Sequence, residues 1–184
     1  HMMIDCYRKS YGMFVCGGML FNHESPRRGL HFVTRKISMG VACIKLGIKN
    51  PPINELGEPL VDKEGKIHLG DLHAMRDWGY SKEYVEAMWL MLQQETPRDF
   101  VIGTNTNYSI KDACKAAFDH VGLNWEDHVI SNQKLLRPTE ITDMKGDSSL
   151  AKKELGWEPK TFMPELMSIM VDSDIDWLKS HNVK

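Results

Sequence analysis

The sequence predicts an α/β fold with more helix than sheet. Three observations lead there: short runs that are apolar at nearly every position, segments with apolar residues three and four apart, and an alternation of the two along the chain. An apolar run too short for a buried helix reads as a strand covered on both faces. "MFVCGGML" at 13–20 and "DFVIG" at 99–103 are of that kind.

The first strand runs into the loop "NHESPRRG", residues 22–29. In "FVTRKISMGVACIKLG", Val33, Ile37, Val41 and Ile44 recur at helical spacing, and Gly47 can close the helix in a left-handed conformation. Residues 48–65 mix prolines, glycines and charges and predict a surface hairpin turning at Asp62–Gly65. "YSKEYVEAMWLMLQQ" predicts a helix with Ser81 at its N-cap and Val85, Met88, Trp89 and Leu92 facing the core. "SIKDACKAAFDHVG" predicts another, capped by Ser109 and ended by Gly122. A short helix in "GDSSLAKKELG", capped by Asp147, precedes a final one in "PELMSIMVDSDIDWLKS" with Leu166, Ile169, Met170 and Trp177 inward.

The 184 residues, 42% hydrophobic and 26% charged, fit one domain, expected over 4–184. Residues 1–3, with the leading His-Met, read as an expression remnant without fold information. A net charge of -2 provides no global field for nucleic acid or anionic membrane, so neither is an expected partner. No apolar run approaches the roughly 20 residues that span a bilayer. Cys6, Cys16, Cys43 and Cys114 form no CxxC pair, and the histidines include no HExxH, so reduced thiols, no metal and a cytoplasmic location are expected.

Ligands of open parallel sheets bind beyond the carboxyl ends of the strands, which singles out the loop after residue 20. Between Pro26 and Lys36 stand Arg27, Arg28, Arg35 and Lys36 and no acid. Arginine offers a planar fork of donors and lysine a compact charge, so the local preference is for a phosphorylated ligand. "RDWG" adds Arg76, and "LRPTE" adds Arg137 beside a stiffening proline. Equally informative, the chain has no GxGxxG turn, no GxSxG elbow and no Tyr-x-x-x-Lys.

Taken in order, "YGMFVCGGMLFNHESPRRG", "FVTRKI", "RDWGYSKEYVEAMWLMLQ" and "LRPTEITDMKGDSSLAKKELGWEP" resemble the carboxyl-terminal half of GDP-mannose 4,6-dehydratases, in the extended short-chain dehydrogenase family. The resemblance implies the sugar-nucleotide domain of such an enzyme, with leftover Rossmann strands near 13–20 and 99–103 and the amino-terminal, NADP-binding Rossmann core missing. Enzymes of this kind turn GDP-mannose into GDP-4-keto-6-deoxymannose. A tyrosine takes the 4-hydroxyl proton as hydride passes to NADP; a glutamate takes the C5 proton, water leaves C6, and hydride returns there. The threonine, glutamate, tyrosine and lysine of those steps precede the matched region. The resemblance therefore implies no catalytic residue here and no turnover by the isolated chain.

What it does carry over is binding. His23 and Arg28 match cofactor contacts, and Asn22 a substrate contact near the diphosphate. Val33 and Lys36 match nucleotide contacts, Arg76 a diphosphate clamp, and Arg137 with Glu140 nucleotide and ribose recognition. Arg27 matches a loop that serves subunit contacts in the family's tetramers, so a homo-oligomer is expected. Thr34 and Arg35 read as helix-surface residues. The chain departs from the pattern at Gly18 and Asp71, each in place of asparagine, and over 48–65, which is longer than usual. The alternatives are one half of a split dehydratase, a non-catalytic GDP-sugar binding module, and a related reductase or epimerase.

Overall fold

A computed structural model describes residues 1–135 and 143–183. The chain begins with α1 (Met2–Tyr11), β1 (Gly18–Leu20), β2 (Asn22–Glu24) and α2 (Val33–Leu46). There follow β3 (Ile67–Leu69), β4 (Met75–Arg76), β5 (Trp78–Tyr80), α3 (Ser81–Met91), β6 (Phe100–Ile102) and β7 (Tyr108–Ser109). Then come α4 (Ile110–His120), β8 (Val129–Ser131), α5 (Ser149–Leu155) and α6 (Met163–Ser180). The fold is α/β, with short strands in pairs: β1 with β6, β2 with β5 and β3 with β8 are parallel, and β4 with β7 is antiparallel.

The larger core lies among three helices. Ile37 and Val41 of α2, Cys114 and Phe118 of α4, and Met167 and Val171 of α6 meet there, with Ile67 and Trp78 beneath them. The smaller core joins Tyr84, Ala87 and Met91 of α3 to Phe100 and Ile102 of β6 and to Ala151 and Trp157. Ends are set as the sequence predicts for α2 and α4: Gly47 is left-handed at φ 65°, and Ser109 and Asp112 form a reciprocal capping box.

Several expectations are corrected. The run 13–20 is a strand only from Gly18, and Met13, Phe14 and Met19 are exposed. Helix α1 starts at Met2, with Met2 and Met3 exposed, and Arg8 on it donates to Asp99 at 2.5 Å. The turn at Asp62–Gly65 exists, with Gly65 N donating to Asp62 O at 3.1 Å, but β3 leaves it to pair with distant β8, and the antiparallel bridge of this segment lies earlier, between Ile53 and Pro59. Tyr80 rather than Ser81 is the cap of α3; Ser148 holds the cap position of α5, and Asp147 Oδ1 accepts from Ser149 N at 2.9 Å.

The face assigned to α3 is the wrong one. Val85 and Trp89 are each 60% exposed, Met88 and Leu92 are also exposed, and the buried residues are Tyr84, Ala87 and Met91. A stripe four positions wide was apolar on both flanks, and the periodicity could not choose between them. On α6, Trp177 is likewise exposed, its place in the core taken by Leu178.

Candidate functional site

Strand β2 delivers Asn22, His23 and Glu24 side by side, and the pairing of His23 with Gly79 fixes their direction. Only glycine fits at 79, since a Cβ there would lie 2.4 Å from the Tyr84 ring. His23 Nδ1 is 2.9 Å from Phe21 O. A carbonyl can only accept, so Nδ1 carries a proton.

Beyond β2 the chain turns, with Arg28 N donating to Ser25 O at 2.9 Å. Glu24 is buried, receives Thr34 Oγ1 at 2.6 Å and has Arg28 Nε 3.2 Å from the same oxygen. That distance makes an ion pair, but the alignment is poor, and Nε–H has no hydrogen-bond acceptor among the described residues. The guanidinium also lies 3.5 Å over the Phe32 ring. Burial pushes the Glu24 carboxyl above its ordinary value, against the pull of Thr34, Arg28 and His23. Arg28 is thus held by a carboxylate on one side and an aromatic face on another.

Thr34 and Arg35 are not surface residues. Thr34 faces Glu24, and Arg35 is buried, its Nη2 2.6 Å from Asp174 Oδ1 on α6. The same guanidinium donates to the carbonyls of Pro26 and Arg28. Asp77 is fully buried between Arg76 and Trp78. It accepts from Thr104 N at 2.8 Å, Thr104 Oγ1 at 2.6 Å, Asn105 N at 3.2 Å and Gly146 N at 3.0 Å.

These supports surround a cleft of about 520 Å³. Asn22, Arg28, Val33, Lys36 and Arg76 line it together, although they come from β2, the following loop, α2 and β4. Burial lowers the Lys36 ammonium from its ordinary value, opposed by Glu58. His23 lies on an adjoining hollow of about 240 Å³ that shares Asn22 and Arg28 with the cleft. Arg137 and Glu140 lie outside the described residues. Arg27 is exposed and off the cleft, and Asp71 is on it, its Oδ1 accepting from His73 N at 2.8 Å.

Glu24 and Asp174 are what sequence reasoning missed. Glu24 stood in the quoted loop beside its arginines; Asp174, 139 residues from Arg35, gave no local signal.

The family model described as GDP-mannose 4,6 dehydratase matches residues 1–170. This chain belongs to that family. GDP-mannose 4,6 dehydratase 1 of Arabidopsis thaliana is 46% identical over 177 residues, covering 96% of this chain and 45% of the relative. GDP-mannose 4,6 dehydratase 2 of Caenorhabditis elegans is 48% identical over 185 residues, covering 92% of this chain and 44% of the relative. The human GDP-mannose 4,6 dehydratase is 40% identical over 192 residues, covering 95% and 48%. The chain spans about half the length of the family members it matches.

Solved structures agree on the fold. RMD from Pseudomonas aeruginosa complexed with NADPH superposes with a TM-score of 0.74 at 14% identity, over 95% of this chain and 52% of that one. UDP-glucose 4-epimerase from Thermotoga maritima with UDP-glucose gives 0.76 at 20% identity, over 96% and 51%. The chain therefore shares its fold with about half of each of these structures.

Proposed function

We propose that this chain is the GDP-sugar-binding portion of a GDP-mannose 4,6-dehydratase and is catalytically silent alone. The observation that carries it is the gathering of Arg28, Lys36 and Arg76, with Asn22, on one cleft. A diphosphate bears about two negative charges, and hydrogen bonds to a charged group contribute about 1.5–3 kcal/mol each. Arg76 binds the diphosphate, Asn22 orients it, and Val33 and Lys36 meet the nucleotide, while Arg28 stands where the cleft meets the cofactor's side. Arg137 and Glu140 are assigned to nucleotide and ribose by the family match alone.

NADP is the cofactor of the whole enzyme, where it carries the hydride out and back. His23 and Arg28 suit one edge of it: both line the same hollow, the planar guanidinium fork favours a phosphate oxygen, and a histidine ring nitrogen can bond a hydroxyl. Nothing in the sequence supplies the glycine turn that a dinucleotide's pyrophosphate needs, so the chain alone is proposed not to retain it.

A second reading, one half of a split dehydratase, is favoured by the bare apolar surface. The β1–β6 pair is only two strands wide, and Met13, Phe14 and Met19 stand exposed near it, as do Val85, Met88, Trp89 and Leu92 on α3. A parallel pair is a fragment of a sheet that is normally covered, so a separate Rossmann polypeptide or a second copy of the chain would bury it.

Calorimetry with GDP-mannose tests the first reading: binding by the wild-type chain, and at least a tenfold loss in Arg76→Ala, are expected. Unchanged affinity in Arg76→Ala removes the clamp. Formation of 4-keto product from GDP-mannose and NADP by the purified chain overturns its catalytic silence, and formation only after adding a Rossmann polypeptide supports the split enzyme.

A further inference from the structure

One wall of the cleft comes from the segment that the family resemblance marks as longer than usual. Ile53 and Pro59 form an antiparallel bridge, and Asn54 N donates to Glu58 O at 2.9 Å. The buried Asn54 side chain closes the tip, its Oδ1 accepting from Leu56 N at 3.0 Å and Glu58 N at 2.9 Å. Gly57 takes the left-handed position at φ 81°. The result is a small, internally fixed hairpin.

Glu55 fastens that hairpin to the loop before α2. Its carboxylate accepts from Leu30 N at 2.9 Å and His31 N at 3.0 Å and lies 3.0 Å from His31 Nδ1. Gly29 leaves it room, since a Cβ there would sit 3.0 Å from Glu55 Oε1. Held this way, the hairpin turns Leu56 and Glu58 onto the cleft. Leu56 is 71% exposed, an apolar side chain kept at the mouth of a charged cavity.

The charges of the cleft say what this wall is for. Glu24, Glu58 and Asp71 line it together with Arg28, Lys36 and Arg76. Glu24 is engaged by Thr34 and Arg28, and one Asp71 oxygen by His73 N. Among the described residues the Glu58 carboxylate receives Asn54 Nδ2, at 3.3 Å from Oε2, with the Lys36 charge near enough to feel it, and so it keeps the most acceptor capacity. Bare phosphate has no use for such a group. A ligand joining phosphate to N–H or O–H donors, with a flat apolar body, uses both.

We propose that residues 53–59 form a specificity wall in which Glu58 accepts from the nucleoside of a nucleotide ligand and Leu56 covers it, with Glu55 as the positioning residue. This deepens the nucleotide-binding reading above and rests on it. Titration of the full chain with GDP and with inorganic pyrophosphate separates the two. Glu58→Gln and Leu56→Ser are expected to weaken GDP about tenfold each and leave pyrophosphate unchanged, whereas Arg76→Ala weakens both. Glu55→Ala is expected to weaken GDP and to speed hydrogen exchange at the Leu30 and His31 amides. GDP binding unchanged in Glu58→Gln and Leu56→Ser overturns the wall and leaves the nucleotide reading standing. Absence of GDP binding to the wild-type chain overturns both.

Discussion

Asp174 on α6 and Arg35 on α2 form a buried ion pair, Oδ1 to Nη2 at 2.6 Å, and through it the last helix holds the ligand loop. Ser38 Oγ adds a bond to Asp174 Oδ2 at 2.6 Å, while Arg35 passes its other donors to Pro26 and Arg28. Removing one member of such a pair leaves the other buried without a counter-charge, which costs about 3–5 kcal/mol. Asp174→Asn should therefore lower stability to urea by about that amount, and Asp174→Leu with Arg35→Met should recover most of it. An Asp174→Asn chain with wild-type stability would remove the pair's structural role.

Gly79 is the point where β5 passes closest to Tyr84. Gly79→Ala forces a Cβ to 2.4 Å from that ring and should destabilise by about 1–3 kcal/mol, as overpacking does. Because Gly79 pairs with His23, the substitution should also disturb the histidine resonances in NMR spectra. Tyr84→Leu in the same chain should relieve most of the loss; no relief would place the strain elsewhere.

The latch at Glu55 sets a pH window. Its own backbone amide first, then the His31 ring and the amides of Leu30 and His31, hold the carboxyl down at about 2 from an ordinary 4.5. A carboxyl lowered in the folded state contributes stability that is complete above 4.5 and is lost as pH falls toward 2. Protection of the Leu30 and His31 amides should accordingly fall across that acid range in the wild type. Glu55→Gln should lack this step, and an identical pH profile in the two would exclude the latch.

The exposed flank of α3 should drive self-association in the isolated chain, because contiguous apolar surface of this kind marks contact sites. Light scattering is expected to report species larger than 21.1 kDa. Val85→Glu with Trp89→Lys should shift the population to monomer without altering far-ultraviolet circular dichroism. A sharp monomer in the wild type would contradict the expectation.

Much of this was legible in the sequence. Periodicity and glycine ends placed α2 and α4, and the carboxyl end of an apolar run pointed to the loop that carries Asn22, His23 and Arg28. Charge runs alone could not tell Arg35 from Arg28. One reads as a helix-surface cation and the other as a loop cation, yet Arg35 is buried by a partner 139 residues away while Arg28 lines the cleft. The inward face of α3 was illegible for a related reason: Val85 and Trp89 are as apolar as Tyr84 and Met91, and hydrophobicity does not record which flank has a neighbour. The strand pairing of residues 67–69 with 129–131 depends on a long crossover that no local turn announces.

Asp77 fixes more than its own four bonds. In extended backbone successive side chains take opposite sides, so with a carboxylate directed inward at 77, Arg76 and Trp78 are committed to the ligand side. A slip of one residue would bring an anion to the position of the Arg76 guanidinium and set the guanidinium against the four donors that now bind Asp77. Parity along three residues thus decides whether the cleft presents a cation or an anion at that point.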